Sequence, residues 1–254
     1  SDRETRATMK NKVICVVHGE ESNTGRIGRV VREKGLEEVR YCVKMGDTLP
    51  TNFDDIAGAV VFGGPMSAND DDTLDFIATE LRWMDDVLAS GTPFLGVCLG
   101  AQMLARCLGA EVRPHETGWH EIGYTEIVPA GNGDNILGDV RFFYQWHGEG
   151  FDLPSGCELL AAGASGHFPH QMYRMNADVY GVQFHPECTI DIIKYWAGIE
   201  EPHPKLEYPG AQSTEEQLAN AAKYDHLVDA WVPGFIDTWL GASPAQDAVR
   251  DAAE

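Results

Sequence analysis

A cysteine between two glycines is the feature of this sequence that points most directly to chemistry. Cys98 lies in the segment Gly96-Val97-Cys98-Leu99-Gly100, which follows an apolar run and precedes a helical pattern. The Gly-x-Cys-x-Gly spacing is the thiol counterpart of the Gly-x-Ser-x-Gly elbow, in which a strained strand-to-helix turn exposes the nucleophile. The positive end of the helix dipole favours the thiolate, which is the attacking form of cysteine. On this motif alone, a buried structural cysteine between loop glycines stays open.

A histidine and a glutamate near residue 186 supply the other groups that a thiol nucleophile needs. His185-Pro186-Glu187 follows the apolar stretch Val179–Phe184. Side chains two residues apart in an extended chain point to the same side, and Pro186 biases His185 towards that conformation. A carboxylate beside an imidazole fixes its tautomer and stabilises the imidazolium ion. By itself the segment is also compatible with an ordinary turn, but its combination with a cysteine elbow favours catalysis.

Acyl transfer to a thiol further requires hydrogen-bond donors for the oxyanion. The backbone N–H of Leu99, directly after the cysteine, is one candidate. The second is the N–H of Gly64, in Gly63-Gly64-Pro65 after another predicted strand, where glycine lets the backbone approach a ligand closely. A tight turn explains these glycines equally well, so the sequence predicts an oxyanion site here without excluding that alternative.

The elements that would position these residues alternate between strands and helices. Strands are predicted at Val13–Val17, Val39–Val43, Ala57–Phe62, Pro93–Val97 and Val179–Phe184. Helical spacing separates them, which indicates an α/β doubly wound, mostly parallel sheet whose strand ends gather the site at one edge. Shorter strand candidates at Val112, Ile122–Val128, Arg141–Trp146 and Leu159–Ala162 predict an antiparallel addition, so we expect the sheet to be mixed.

The two ends of the chain differ from this central pattern. Residues 1–10 are polar and are expected to form a flexible N-terminal segment. Residues 11–198 then form the main domain, and residues 199–254 form a helical C-terminal extension packed on it. Helical patterns span Ile190–Trp196 and Thr214–Leu240. The second helix could pack in cis or mediate dimerisation, and we expect packing in cis while a homodimer stays open.

Composition narrows the class of protein. The chain has 254 residues, of which 43% are hydrophobic, enough for one sizeable core. Its formal net charge of −21 argues against nucleic-acid and membrane partners, because phosphate and anionic lipid surfaces would repel it. The six cysteines contain no C-x-x-C pair and lack zinc-site spacing, so they do not indicate a zinc site. The sequence has no signal-peptide pattern and no membrane-length apolar run, so we expect a cytoplasmic protein.

Three of these motifs, taken in order, resemble those of the class I (triad-type) glutamine amidotransferases. They are Gly63-Gly64-Pro65, the segment from Gly96 to Gln102, and Phe184-His185-Pro186-Glu187. The segment from Tyr144 to Pro154 resembles the Trp-His-Gly-Asp region of the glutaminase domain of GMP synthase and its stand-alone relatives. The resemblance implies a flavodoxin-like class I glutamine amidotransferase fold.

The resemblance also implies a role for each matching residue. Cys98 would be the nucleophile, His185 the general acid and base, and Glu187 the carboxylate that orients His185, with Gly64 and Leu99 as the oxyanion hole. The implied substrate-binding residues are Gly63, Gln102, His147, Gly148 and Glu149. The implied reaction is hydrolysis of the glutamine γ-amide through a thioester, with no cofactor or metal. Glu149 stands where the family more often has Asp.

The fate of the ammonia is left open by the sequence. Nothing in it resembles the Ser-Gly-Gly-x-Asp-Ser phosphate loop of the synthetase half of GMP synthase, so a separate synthetase would accept the ammonia. One alternative is a γ-glutamyl hydrolase or peptidase acting on γ-glutamyl peptides. A second is a non-catalytic module that senses glutamine or binds a partner protein.

Overall fold

The structure is a computed structural model that describes residues 9–241. Most of the predicted N-terminal segment and the last part of the predicted C-terminal extension, residues 242–254, lie outside the described residues. The strands are β1 (Lys12–Val16), β2 (Glu37–Tyr41), β3 (Ile56–Val61), β4 (Phe94–Val97), β5 (Val112–Pro114), β6 (Glu121–Pro129), β7 (Phe142–His147), β8 (Glu149–Phe151), β9 (Glu158–Gly163), β10 (His170–Asn176) and β11 (Val179–Val182). The α-helices are α1 (Gly25–Glu33), α2 (Asp75–Ser90), α3 (Leu99–Cys107), α4 (Gly133–Leu137), α5 (Ile190–Ala197) and α6 (Thr214–Leu240).

One mixed sheet of nine strands runs through the described chain. Its order is β2-β1-β3-β4-β11-β10-β9-β6-β7. The first five strands are parallel to one another, and β10, β9, β6 and β7 each pair antiparallel with the strand before them in this order. The prediction of a parallel sheet with an antiparallel addition is therefore confirmed, and β5 and β8 form a separate two-stranded ribbon.

Helices cover both faces of the sheet. Alternate side chains of β1 point to opposite faces, so Val13 and Cys15 join the core under α1 and α6, while Ile14 and Val16 join the core under α2 and α3. Parallel strands buried on both faces read as continuous apolar runs, which is why β1 and β3 were visible in the sequence. This arrangement confirms the doubly wound fold class.

The pairing of three neighbouring strands brings the site residues to one edge. Val97 of β4 lies opposite Val182 of β11, and Val61 of β3 lies opposite Gly96 of β4. The three strands therefore end nearly level with one another. The residues that follow them, which begin at Phe62, Cys98 and Gln183, emerge together at the carboxyl edge of the sheet.

Helix α6 packs along the same face of the sheet as α1. Its buried side chains include Val232, Phe235 and Trp239, which belong to the core that contains β1 and β4. The indole N–H of Trp239 donates a hydrogen bond to the carbonyl of Asp178, just before β11, at 3.1 Å. The helix is thus attached both to the core and to the start of a central strand.

All six cysteines are free thiols, and four of them, including Cys98, are buried. Among residues 9–241, no helix combines the length and the apolar character needed to cross a membrane.

Candidate active site

Cys98 occupies a strained turn between β4 and α3. Its φ of 52° and ψ of −107° make it the one non-glycine residue with positive φ in the described chain, a conformation that costs about 1–3 kcal/mol. A Cβ on Gly96 would lie 2.4 Å from the carbonyl oxygen of Gly100, and a Cβ on Gly100 would lie 1.9 Å from that of Val61. Both glycines are therefore required by close backbone contacts. The turn has the shape that the Gly-x-Cys-x-Gly motif predicts.

His185 and Glu187 form a buried imidazole–carboxylate pair beside this turn. Nδ1 of His185 lies 2.9 Å from Oε1 of Glu187, and both side chains are almost completely buried. The expected extended geometry is wrong, because the N–H of Cys188 donates to the carbonyl of His185 and closes a turn. The pair forms across this turn. The ring of Trp196 packs edge-on against the imidazole, with centroids 5.0 Å apart.

The charges around His185 favour its protonated form. Burial is the largest single effect and disfavours the imidazolium ion, but it is exceeded by the combined effect of the Glu187 charge, the Cys98 sulfur and the hydrogen bonds to both side chains. Together they raise the pKa of His185 to about 10. The structure therefore brings the thiol, the imidazole and the carboxylate into one interacting group.

The two predicted oxyanion donors flank the thiol. A Cβ on Gly63 would lie 2.8 Å from Cε1 of His185 and 3.5 Å from Cβ of Cys98, so the Gly63-Gly64 segment passes directly beside both side chains. Within residues 9–241, the N–H groups of Gly64 and Leu99 donate no hydrogen bond. Leu99 is the first residue of α3, where N–H groups have no partner inside the helix. Both donors are therefore available to a ligand.

A second buried imidazole–carboxylate pair supports the Gly63-Gly64 segment. Nδ1 of His18 donates to the carbonyl of Gly63 at 2.9 Å, and Nε2 lies 2.7 Å from Oε2 of Glu80 on α2. Both side chains are buried. The carbonyl of one residue and the N–H of the next point in opposite directions in a trans peptide, so His18 also fixes the direction of the Gly64 N–H. No motif in the sequence singles out Glu80.

Gln102 links the elbow helix to the β8 ribbon and to a glutamine beside Cys98. Its Nε2 donates to the carbonyl of Glu149 at 2.9 Å and to Oε1 of Gln183 at 3.2 Å. Nε2 of Gln183 in turn donates to the sulfur of Cys98 at 3.5 Å. The sequence interpretation missed Gln183, although its position two residues before His185 was a usable signal.

The predicted pocket residues around Gly148 follow Trp146, whose backbone carbonyl accepts a hydrogen bond from the Cys98 thiol at 3.6 Å. Both ring nitrogens of His147 are occupied, one by the carbonyl of Glu149 at 2.8 Å and the other by the carboxylate of Glu121 at 2.9 Å. A Cβ on Gly148 would lie 2.2 Å from Nε2 of His120, so the backbone is tightly enclosed there. His147 thus has no ring nitrogen left for a substrate, and its contacts hold the Gly148-Glu149 backbone in place.

A cavity of about 480 Å³ opens beside the imidazole–carboxylate pair. Its lining includes Gly63, His185, Tyr195 and Trp196. His185, Glu187 and Cys188 also bring atoms of metal-ligand type within 4.8 Å of one another. The prediction that the site uses no metal stays a prediction.

Comparison with known proteins identifies the family. The profile of the family described as glutamine amidotransferase class-I matches residues 17–192, which is more than half of the chain. A GMP synthase (glutamine-hydrolysing) from Thiobacillus denitrificans is 31% identical over 196 residues, covering 71% of this chain and 35% of the relative. The corresponding enzyme from Porphyromonas gingivalis is 29% identical over 185 residues, covering 70% and 33%. The chain thus spans about a third of the length of these curated relatives.

Solved structures agree with this result. A glutamine amidotransferase from Thermotoga maritima superimposes with a TM-score of 0.80 at 25% identity, covering 91% of this chain and 98% of its own. A glutamine amidotransferase from Methylobacillus flagellatus gives 0.79 at 26% identity, covering 91% and 94%. With the matched segment containing the cysteine elbow and the His-Pro-Glu turn, the chain belongs to the class I glutamine amidotransferase family and is similar to the glutaminase part of GMP synthase.

Proposed function

We propose that this protein hydrolyses the γ-amide of glutamine through a thioester on Cys98 and releases ammonia. The observation that carries the proposal is the meeting of three buried groups, the Cys98 thiol and the His185–Glu187 pair, at the carboxyl edge of one sheet. Two backbone N–H groups that have no partner among residues 9–241, those of Gly64 and Leu99, lie beside them. These are the parts that cysteine-based acyl transfer needs.

In the proposed reaction the Cys98 thiolate, whose proton is held by His185 as the imidazolium ion, attacks the carbonyl carbon of the glutamine γ-amide and forms a C–S bond. The N–H groups of Gly64 and Leu99 stabilise the negative oxygen of the tetrahedral intermediate. His185, whose raised pKa favours the imidazolium form, donates a proton to the departing nitrogen, and ammonia leaves. His185 then takes a proton from water, the water attacks the thioester, and glutamate is released as the thiol is restored.

The remaining assignments follow from the position of each group. We propose that glutamine is held by Gln102 and by the backbone around Gly63, Gly148 and Glu149, with His147 supporting that wall. Residues 11–198 would carry the activity, with residues 199–241 as a helical extension of the same domain. A separate synthetase would accept the ammonia, and the six free thiols favour a reducing compartment such as the cytoplasm.

The test is turnover of glutamine, glutathione and other γ-glutamyl peptides by the wild-type chain and by Cys98→Ser, with Cys157→Ser as the matched cysteine control. We expect glutamine hydrolysis, a γ-glutamyl thioester visible by mass spectrometry, and loss of both in Cys98→Ser alone. Unchanged turnover in that variant would eliminate the proposed nucleophile. Faster turnover of peptides would indicate a γ-glutamyl hydrolase, and glutamine binding without a thioester would indicate a sensing module.

A further inference from the structure

Arg26, near the start of α1, lies buried against the turn that carries His185 and Glu187. We infer that Arg26 is a positioning residue for this pair and that α6 takes part in catalysis by holding Arg26 in place. The inference rests on the proposed roles of Cys98, His185 and Glu187. It assigns a role to the C-terminal helix, which lies outside the segment 17–192 that matches the family.

The contacts of Arg26 with the catalytic turn account for three consecutive carbonyl groups. Its guanidinium Nη1 donates to the carbonyls of Pro186 and Cys188, each at 3.2 Å. Its backbone N–H donates to the carbonyl of Glu187 at 2.9 Å. One residue therefore fixes the backbone of the segment that sets the direction of the Glu187 side chain.

Two carboxylates on α6 neutralise the charge of the Arg26 guanidinium. The Arg26 side chain is only 2% exposed, and a buried guanidinium is costly unless it is paired and fully hydrogen-bonded. Nη2 lies 2.8 Å from the carboxylate of Asp225, and Nε lies 2.7 Å from that of Asp229. Both aspartates lie on α6, so the helix determines where the guanidinium sits and which of its N–H groups face the turn.

The packing around this contact leaves little room for adjustment. Gly25 has φ of 56°, and a Cβ there would lie 2.1 Å from the carbonyl oxygen of Glu187. The start of α1 therefore touches the turn directly. A shift of the Arg26 guanidinium would move the backbone at Glu187 and change the hydrogen bond to Nδ1 of His185. Arg26 itself contacts no reacting atom, so its effect on the reaction is indirect.

The experiment compares Arg26→Met with Arg29→Met in the full chain. Arg29 lies on the same helix and also contacts Asp229, at 2.8 Å, but it does not touch the turn. Misplacement of a catalytic group by about 1 Å can cost roughly 100-fold in rate. We therefore expect kcat for glutamine to fall by about 100-fold in Arg26→Met with KM little changed, and to stay within about twofold in Arg29→Met, because exposed ion pairs contribute little.

A second variant covers the case in which Arg26→Met does not fold. Asp225→Asn keeps the shape of the side chain and removes one of the two charges that hold Arg26, so we expect kcat to fall by about tenfold at similar KM. The rate of thioester formation in a single turnover should fall in parallel.

Equal losses of kcat in the Arg26 and Arg29 variants, or wild-type kcat in a folded Arg26→Met or Asp225→Asn chain, would overturn the inference. The Cys98→Ser variant distinguishes a failure of the positioning role of Arg26 from a failure of the proposed function. If it abolishes turnover while the Arg26 and Asp225 variants stay fully active, only the positioning role fails. If it leaves turnover unchanged, the proposed function itself fails.

Discussion

At the scale of single residues, two glycines should respond in opposite ways to the same added methyl group. In Gly100→Ala the new Cβ would lie 1.9 Å from the carbonyl oxygen of Val61, so the elbow must move. Overpacking of this kind costs about 1–3 kcal/mol or more, and we expect glutaminase activity to be lost as well. Gly234 is exposed on α6 with nothing within 4 Å of its added Cβ. Gly234→Ala should stabilise the protein by up to about 1 kcal/mol, since alanine favours helix.

Urea unfolding of the two variants checks this prediction, with activity measured on the same samples. Full activity in Gly100→Ala would show that the strained backbone at Cys98 is not needed for the reaction. A lower stability of Gly234→Ala would contradict the prediction, because it would require the added methyl group to clash with a neighbouring group.

The His185–Glu187 pair should make stability depend on pH. The pKa of His185 is raised from 6.5 to about 10, against the effect of burial, chiefly by Glu187. Because the folded pKa lies above the unfolded one, the stabilisation is fully present below about pH 6.5 and is lost as pH rises through about 10. Glu187→Gln removes the largest favourable charge. We therefore expect its deficit in unfolding free energy, relative to wild type, to shrink between these two pH values.

Measuring the unfolding free energy of wild type and Glu187→Gln at several pH values tests the direction of this pH dependence. A substitution at an exposed position, Glu116→Gln, is the control. A deficit that stays constant or grows with pH would contradict the assignment of the raised pKa to this pair.

Some of the site residues could be predicted from the sequence and others could not, and the difference has a physical reason. Cys98, His185 and Glu187 lie in short sequence motifs, and the glycines and the proline next to them make those motifs recognisable. Arg26 and Glu80 act through partners far away in the chain, since Arg26 meets Asp225 and Asp229 about 200 residues later. No local pattern of residue types records such a pairing, so only the folded chain shows it.

At the scale of elements, prediction succeeded where apolar residues dominate. The strands β1 and β3 and the helix α6 lie within one residue of their predicted limits. The second strand was wrong by two residues, because β2 is an edge strand that carries Glu37, Glu38 and Arg40, and Val43–Met45 instead forms a short 3-10 helix. The three-residue strand β8 is too short to show a periodic pattern.

The start of α6 allows a prediction about a single helix. The side chain of Ser213 accepts a hydrogen bond from the N–H of Glu216, and the Glu216 carboxylate accepts one from the N–H of Ser213. Such a capping box satisfies two backbone donors, and replacing its serine with alanine typically costs about 1 kcal/mol. We expect Ser213→Ala to lower the unfolding free energy by this amount and to leave kcat unchanged, because Asp225 lies about three turns further along the helix.

Thermal or urea unfolding measures this effect, and Ser155→Ala in an exposed turn is the matched control. Equal stability of the two variants would mean that the cap contributes nothing. A fall in kcat for Ser213→Ala would show that the first turn of α6 also influences the catalytic turn.

At the scale of the whole molecule, the site exists only because β11 pairs with β4. This parallel pairing places Gln183 and His185 beside Cys98, more than 80 residues earlier in the chain. The alternation of strands and helices predicted the fold class and the shared carboxyl edge. The order of the strands could not be predicted in the same way, since it depends on contacts between distant segments that local periodicity does not report.

The burial of the thiols described above has a practical consequence for labelling. Burial raises the pKa of Cys15, Cys107, Cys157 and Cys188, so these four side chains stay protonated and poorly nucleophilic near neutral pH. Of the other two cysteines, Cys98 is the proposed nucleophile and Cys42 is buried. An alkylating analogue of glutamine would therefore meet little competition from background thiols. If Cys98 acts as proposed, the stoichiometry of this reagent would count active sites in the unmodified chain, without removal of its other cysteines.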